Sequence, residues 1–269
     1  MTIPAFNPLL VDPTAPIGVL DSGWGGLSVL KALRQELPLE DFVYCADCAR
    51  APWGDKPSTW IVERCRQICR MLVAQGVKSI VLACNTATAA AISTLRKEFP
   101  IKFIGMEPAI KPAAALTKTG VVGVLATAGT LKAEKYLDTR EKWAQSITVV
   151  EHTGEGFVEL VEKGQTLGAE AETIVKRSLA PLLDAGADTI VLGCTHYPFL
   201  ADTIKKVAAA HGADGNSFHL IDPAPAVARH LLEVMEAEGI QTASPEGFSM
   251  ELLCSGDRKG LLHTYNSLV

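Results

Sequence analysis

Residues 75–86 read "QGVKSIVLACNT" and residues 185–196 read "AGADTIVLGCTH". Laid on each other at one constant offset, the two stretches pair Gly76 with Gly186, Ile80 with Ile190, Val81 with Val191, Leu82 with Leu192 and Cys84 with Cys194. A short apolar run entered through a glycine turn and left through small polar residues reads as a buried strand of a parallel sheet. The amphipathic stretch ahead of each completes an α/β unit. A second pair, "IGVLDSG" from Ile17 and "VGVLATA" from Val122, repeats at a similar offset. Two related halves follow, and the expected fold class is α/β, with two similar doubly wound parallel-sheet domains related by pseudo-twofold symmetry.

Working outward, further apolar runs bounded by turn residues give strands at Ile17–Leu20, Phe42–Cys45, Ser79–Ala83, Phe103–Met106, Val121–Leu125, Ile147–Glu151 and Thr189–Leu192. The stretch "GGLSVLKALRQELP" spaces Leu27, Leu30 and Leu33 three apart and halts at Pro38, which predicts a helix with a stop signal. Alanine- and proline-rich "EPAIKPAAALTKTG" (107–120) is expected to cross from the first half to the second, and "IDPAPAVARH" (221–230) to return. After it only one helix and the strand-like "FSMELLCS" (248–255) are expected. The first domain is then 1–107 with 222–269, and the second 108–221.

With 269 residues, 48% of them hydrophobic, the chain can bury a sizeable core. Lys and Arg number 25 against 30 Asp and Glu, with no basic run to track a phosphate backbone, so nucleic acid is not an expected partner. The N-terminus "MTIPAFNPLLVDPTAPIGVL" lacks a basic region and carries four prolines, which argues against a signal peptide. No apolar run approaches the roughly 18 residues of a membrane span. Seven cysteines, an odd number scattered through helix and strand patterns, fit a reducing cytoplasm.

Ligands of parallel α/β sheets sit beyond the carboxyl ends of the strands. Cys84 and Cys194 both occupy that position, followed by Asn85-Thr86 and Thr195-His196. Backbone N–H groups at a helix start favour an anion and lower a thiol's pKa, although a lone cysteine is commonly a small buried hydrophobe. Two such thiols in related halves suit the inversion of an α-carbon, which needs one base on each face. At pH 7 only about 3% of an ordinary cysteine is thiolate, so each needs a helper. Asp21 and Ser22, ending the first strand ahead of Gly23, Gly25 and Gly26, can serve one thiol or simply cap the next helix. His196, two residues past Cys194, titrates in the useful range or fills a structural role.

Two other patterns compete. Cys45, Cys48, Cys65 and Cys69 space as C-x2-C-x16-C-x3-C, near a zinc pattern, but Ile61, Cys65, Ile68, Cys69 and Leu72 fall on one helical stripe and read more simply as core. No metal is expected. "DSGWGG" is not the G-x-G-x-x-G of dinucleotide sites.

The series "LDSGWGGLSVL", "APWGDKP", "CNTATAAA", "LVEKG" and "GCTHYPFL", ending in "SGD" at Ser255–Asp257, resembles the glutamate racemases within the cofactor-independent aspartate/glutamate racemase superfamily. The resemblance runs over nearly the whole chain. It implies glutamate as the ligand held between two halves, no cofactor, and D-glutamate supplied to peptidoglycan synthesis; it leaves room for a homodimer. It also implies Cys84 as the proton carrier for D-glutamate and Cys194 for L-glutamate, Asp21 assisting the first, and His196 with Glu162 assisting the second. Asp21, Ser22, Trp53, Gly54, Asn85, Thr86, Thr195 and His196 match the substrate-binding positions. Histidine in "GCTH" favours glutamate over aspartate. The chain departs from the family at Trp53, where a tyrosine is usual, and at Gly154-Glu155, where Cys-Pro is common. The alternatives are a racemase of another amino acid such as aspartate, or an amino-acid-binding protein without catalysis.

Overall fold

The computed structural model of the chain describes residues 7, 11–143, 145–242 and 249–268. Its strands are β1 (Ile17–Asp21), β2 (Phe42–Ala46), β3 (Ser79–Leu82), β4 (Lys102–Gly105), β5 (Val121–Ala126), β6 (Thr148–Thr153), β7 (Thr189–Gly193), β8 (His219–Ile221) and β9 (Met250–Cys254). The helices are α1 (Leu27–Glu36), α2 (Ser58–Ala74), α3 (Asn85–Glu98), α4 (Ile110–Leu116), α5 (Ala128–Leu131), α6 (Glu134–Trp143), α7 (Phe157–Glu162), α8 (Ala169–Asp184), α9 (Ala201–Ala210), α10 (Ala224–Glu238) and α11 (Arg258–Leu268). The chain divides into two compact units, Met1–Met106 with Ala224–Val269, and Glu107–Pro223.

The first unit carries a parallel sheet ordered β4-β3-β1-β2-β9, the second a parallel sheet ordered β6-β5-β7-β8. Read from the opposite edge, the second order matches the first four strands of the other sheet. The repeat seen in sequence falls on β3 and β7, and its companion on β1 and β5. Even the register agrees, since Val19 lies beside Val81 in one sheet and Val124 beside Val191 in the other. Two similar α/β units, each built on a parallel sheet as read from the sequence, are what is observed.

Both sheets are covered on both faces, as continuous apolar strands require. In the first unit Leu20, Val43, Ile80, Leu82 and Phe103 pack against the buried stripes of α2 and α3. The alternate residues Val19, Tyr44 and Ile104 are buried as well. In the second unit Leu125, Ile190 and Leu192 pack with α7, α8 and α9, while Val122, Val124 and Val191 pack with α4 and α6. The buried residues of α2 are Ile61, Cys65, Ile68, Cys69 and Leu72, the stripe expected from spacing.

The expected strands agree with the observed ones within one or two residues at each end. Three features differ. "IDPAPAVARH" is no mere connection, because Ala224–His230 forms the first half of α10. A second helix, α11, follows β9, where one helix was expected after position 230. β8 was not anticipated, being three half-buried residues with too little apolar pattern to stand out. Phe248, where the last strand was expected to begin, lies outside the described residues. No described helix is long and apolar enough to cross a membrane.

Candidate active site

In the first unit β1 ends on Asp21, whose side chain is fully buried. Its Oδ1 accepts the Gly23 N–H at 2.7 Å, turning the chain sharply off the sheet. Ser22 is buried beside it. From the neighbouring strand β3 the chain passes through Ala83 to Cys84, the N-cap of α3. The Ala87 N–H donates to Cys84 Sγ at 3.4 Å, and the thiol donates to Ser22 Oγ at 3.6 Å. A thiol in that place meets the first N–H groups and positive end of a 14-residue helix, which favour a thiolate over a thiol. Thr88 frames the turn from behind: its hydroxyl donates to Leu82 O at 3.2 Å and accepts the Met106 N–H at 3.0 Å.

Asn85 and Thr86 open α3, both buried. Neither the amide oxygen nor the amide nitrogen of Asn85 has a hydrogen-bond partner among the described residues. A buried amide left so costs roughly 1–3 kcal/mol, which a polar ligand would recover. Trp53 is 1% exposed, in the same apolar cluster as Cys84, with its ring edge-on to Trp60 at 5.7 Å. Its indole N–H also lacks a partner among the described residues. Gly54 beside it is half-buried.

In the second unit Cys194 follows β7 directly and is buried. Its Sγ lies 3.9 Å from His196 Nδ1, and His196 Nε2 lies 2.8 Å from Glu162 Oε1 at the end of α7. A carboxylate can only accept, so Nε2 is the donor in that pair, and in the neutral imidazole the Nδ1 lone pair then faces the thiol. The set is a thiol, a base and a carboxylate that orients the base. Thr195, between Cys194 and His196 in the sequence, is buried as well. Tyr197 holds the loop before α7, its hydroxyl donating to Gly154 O at 3.4 Å and its ring 4.9 Å from Phe157. A Cβ at Gly154 would stand 2.5 Å from that hydroxyl oxygen, so the loop and the phenol meet at a distance that only glycine allows.

The competing cysteines sit in a different environment. Burial pushes the Cys45 and Cys69 thiols up to about 12, and Cys65 well above its ordinary value, so all three stay protonated near neutrality. Among the described residues no three His, Cys, Asp or Glu side chains gather where they could hold a metal ion. The sequence did not single out Thr88 or Tyr197. Both fall inside the quoted motifs "CNTATAAA" and "GCTHYPFL", but their roles rest on contacts made only after the strands are assembled.

A family model for Asp/Glu/hydantoin racemases matches residues 27–231. A glutamate racemase of Methylococcus capsulatus is 48% identical over 227 residues, 84% of this chain and 82% of that protein. Two solved structures are similar over nearly their full length. Glutamate racemase of Francisella tularensis in complex with D-glutamate has a TM-score of 0.81 at 28% identity, covering 95% of this chain and 94% of the other. Escherichia coli glutamate racemase in complex with L-glutamate and an activator has a TM-score of 0.81 at 31% identity, covering 94% and 95%. With two parallel sheets in matching register, a thiol at the same strand end of each, and relatives alike from end to end, the chain belongs to the Asp/Glu/hydantoin racemase family, among its glutamate racemases.

Proposed function

We propose that the chain interconverts L- and D-glutamate by proton transfer between the substrate α-carbon and two cysteines. The observation that carries this reading is that Cys84 and Cys194 stand two residues beyond register-equivalent Leu82 and Leu192, each with its own polar partner. In the D-to-L direction the Cys84 thiolate takes the α-proton and the Cys194 thiol delivers a different proton to the opposite face. In the L-to-D direction the roles exchange. Each turnover therefore leaves the two thiols in swapped protonation states, which proton exchange with solvent resets.

The helpers are assigned accordingly. Asp21 and Ser22 serve Cys84, while His196, oriented by Glu162, takes and returns the proton of Cys194. Asn85, Thr86, Thr195 and the backbone at Trp53-Gly54 bind the substrate, and the unmet amide of Asn85 suits its charged groups. Glutamate is favoured because relatives of known structure hold D- or L-glutamate. The product would supply peptidoglycan synthesis in a cytoplasmic setting. Every proton transfer in this scheme is made by a side chain, so no cofactor is assigned.

Proton NMR in D2O tests the reading. Incubation of either enantiomer with the protein is expected to wash out the α-proton signal as optical rotation decays to zero. Binding of glutamate with no α-exchange would leave an amino-acid-binding protein instead, and exchange of aspartate in preference to glutamate would reassign the substrate.

A further inference from the structure

Tyr44 lies on β2 beside Val19 of β1, fully buried, and its side chain reaches past the end of β1. The phenol donates to Gly23 O at 2.9 Å. Gly23 is also the residue whose N–H is held by Asp21 Oδ1, so one peptide segment is gripped on its donor side by Asp21 and on its acceptor side by Tyr44. The chain then returns at Gly26, where a Cβ would stand 2.6 Å from Asp21 Cβ and 2.8 Å from Tyr44 Oη. Only glycine lets the helix start, the acid and the phenol share that space.

The second unit offers an internal contrast. The position in register with Tyr44 is Glu151, beside Val124, and it accepts from Tyr136 and Arg140 instead. There β5 ends on Ala126, without an acid. The phenol anchor occurs in the unit that carries Asp21 and Ser22, where a turn must be held still beside a thiol.

We propose that Tyr44 is a positioning residue for the Cys84 half of the reaction: by fixing the Asp21–Gly23 turn it sets where Asp21 and the Ser22 hydroxyl stand relative to the Cys84 thiol. The inference rests on the racemase reading above. Its signature is directional. Cys84 is the base when D-glutamate is the substrate, so Tyr44→Phe, which removes only the hydroxyl, lowers kcat from D-glutamate more than kcat from L-glutamate. A displaced acid or base partner slows the step it serves by about 10- to 100-fold. The equilibrium constant of a racemase is one, so kcat/KM falls equally in both directions and the split appears in kcat and KM taken separately. Gly26→Ala presses on the same contact from the other side and is expected to give the same split, which covers the case of a Tyr44→Phe protein that does not fold.

The experiment measures kcat and KM from both enantiomers for wild type, Tyr44→Phe, Gly26→Ala and Asp21→Asn, with thermal melts alongside. A loss weighted toward D-glutamate in Tyr44→Phe or Gly26→Ala, in the same sense as Asp21→Asn, supports the assignment. Equal kcat losses in both directions, or rates within twofold of wild type, overturn it while leaving the racemase reading intact. A wild-type protein that exchanges no α-proton sinks the racemase reading, and this inference with it.

Discussion

The two cysteine sites occupy the same place in two similar sheets, yet they are equipped differently. Cys84 caps a 14-residue helix and leans on a hydroxyl, in a turn closed by Asp21 and Tyr44. Cys194 caps no helix directly: a 3-10 turn at Tyr197–Leu200 stands between it and α9, and its sulfur has instead an imidazole held by a carboxylate. The repeat therefore supplies position, and each unit gives its thiol different polar partners. Where the helix that stabilises a thiolate is long, a weak hydroxyl partner stands at the sulfur. Where a 3-10 turn separates the thiol from its helix, a base stands there.

The strongest way to break this comparison is to remove the thiols one at a time. Cys84→Ala and Cys194→Ala are each expected to abolish racemisation, because the proposed two-base scheme gives each face of the α-carbon a single thiol. The surviving thiolate should still act on its own enantiomer. From β-chloroglutamate it would take the α-proton while chloride leaves the β-carbon, so Cys194→Ala eliminates from the D form and Cys84→Ala from the L form. Racemisation near the wild-type rate in either variant would end the two-base scheme.

His196→Asn tests whether the second site depends on its base. A positioned acid or base contributes about 10²- to 10⁴-fold, and here the loss in kcat should be weighted toward L-glutamate, the reverse of the Tyr44→Phe pattern. Identical kcat losses for the two enantiomers would show that the imidazole serves both faces or neither.

The comparison extends to the opposite ends of the strands. Lys78 and Asp188 are equivalent in the sequence repeat, each one residue ahead of its strand. Lys78 is fully buried and pairs with Glu40, and its Nζ also donates to Pro13 O at 2.5 Å; the other Glu40 oxygen accepts the Thr242 N–H at 2.7 Å. Lys78→Met leaves the Glu40 carboxylate buried without its cation, which should cost about 3–5 kcal/mol in urea unfolding. Adding Glu40→Gln should return much of that loss. A single variant as stable as wild type would mean that water reaches the carboxylate.

Asp188 makes the weaker strap. Burial pushes its carboxyl up, but hydrogen bonds from Thr117 Oγ1, the Lys118 and Thr119 N–H groups and Thr189 Oγ1 outweigh this and hold it below its ordinary value. A carboxylate lowered on folding adds stability that is present above its unfolded pKa, near 3.9, and is lost as the pH falls through the folded value. Asp188→Asn should lower the melting temperature by a few degrees at pH 7, with the gap to wild type closing below about pH 4. A gap unchanged between pH 7 and pH 3 would assign the effect to packing rather than charge.

Sequence alone determined the parts of this protein that depend on local pattern. Apolar runs between turn residues placed eight of the nine strands, the repeat of "IVLACNT" in "IVLGCTH" put the two thiols at equivalent strand ends, and a 3.6-residue period assigned Cys65 and Cys69 to the core. Burial of a strand on both faces demands an unbroken apolar run, which is legible without knowing its neighbours. The family motifs named Glu162 and His196, but nothing in the residues between them foretold that they would stand 2.8 Å apart. Only the tertiary structure decided which distant groups meet: Glu162 with His196, the Tyr44 phenol with Gly23, Lys78 with Glu40, Tyr197 against a glycine that leaves it room. Those contacts depend on sheet register and on side-chain reach summed over several elements, and a pattern of period two or 3.6 carries neither.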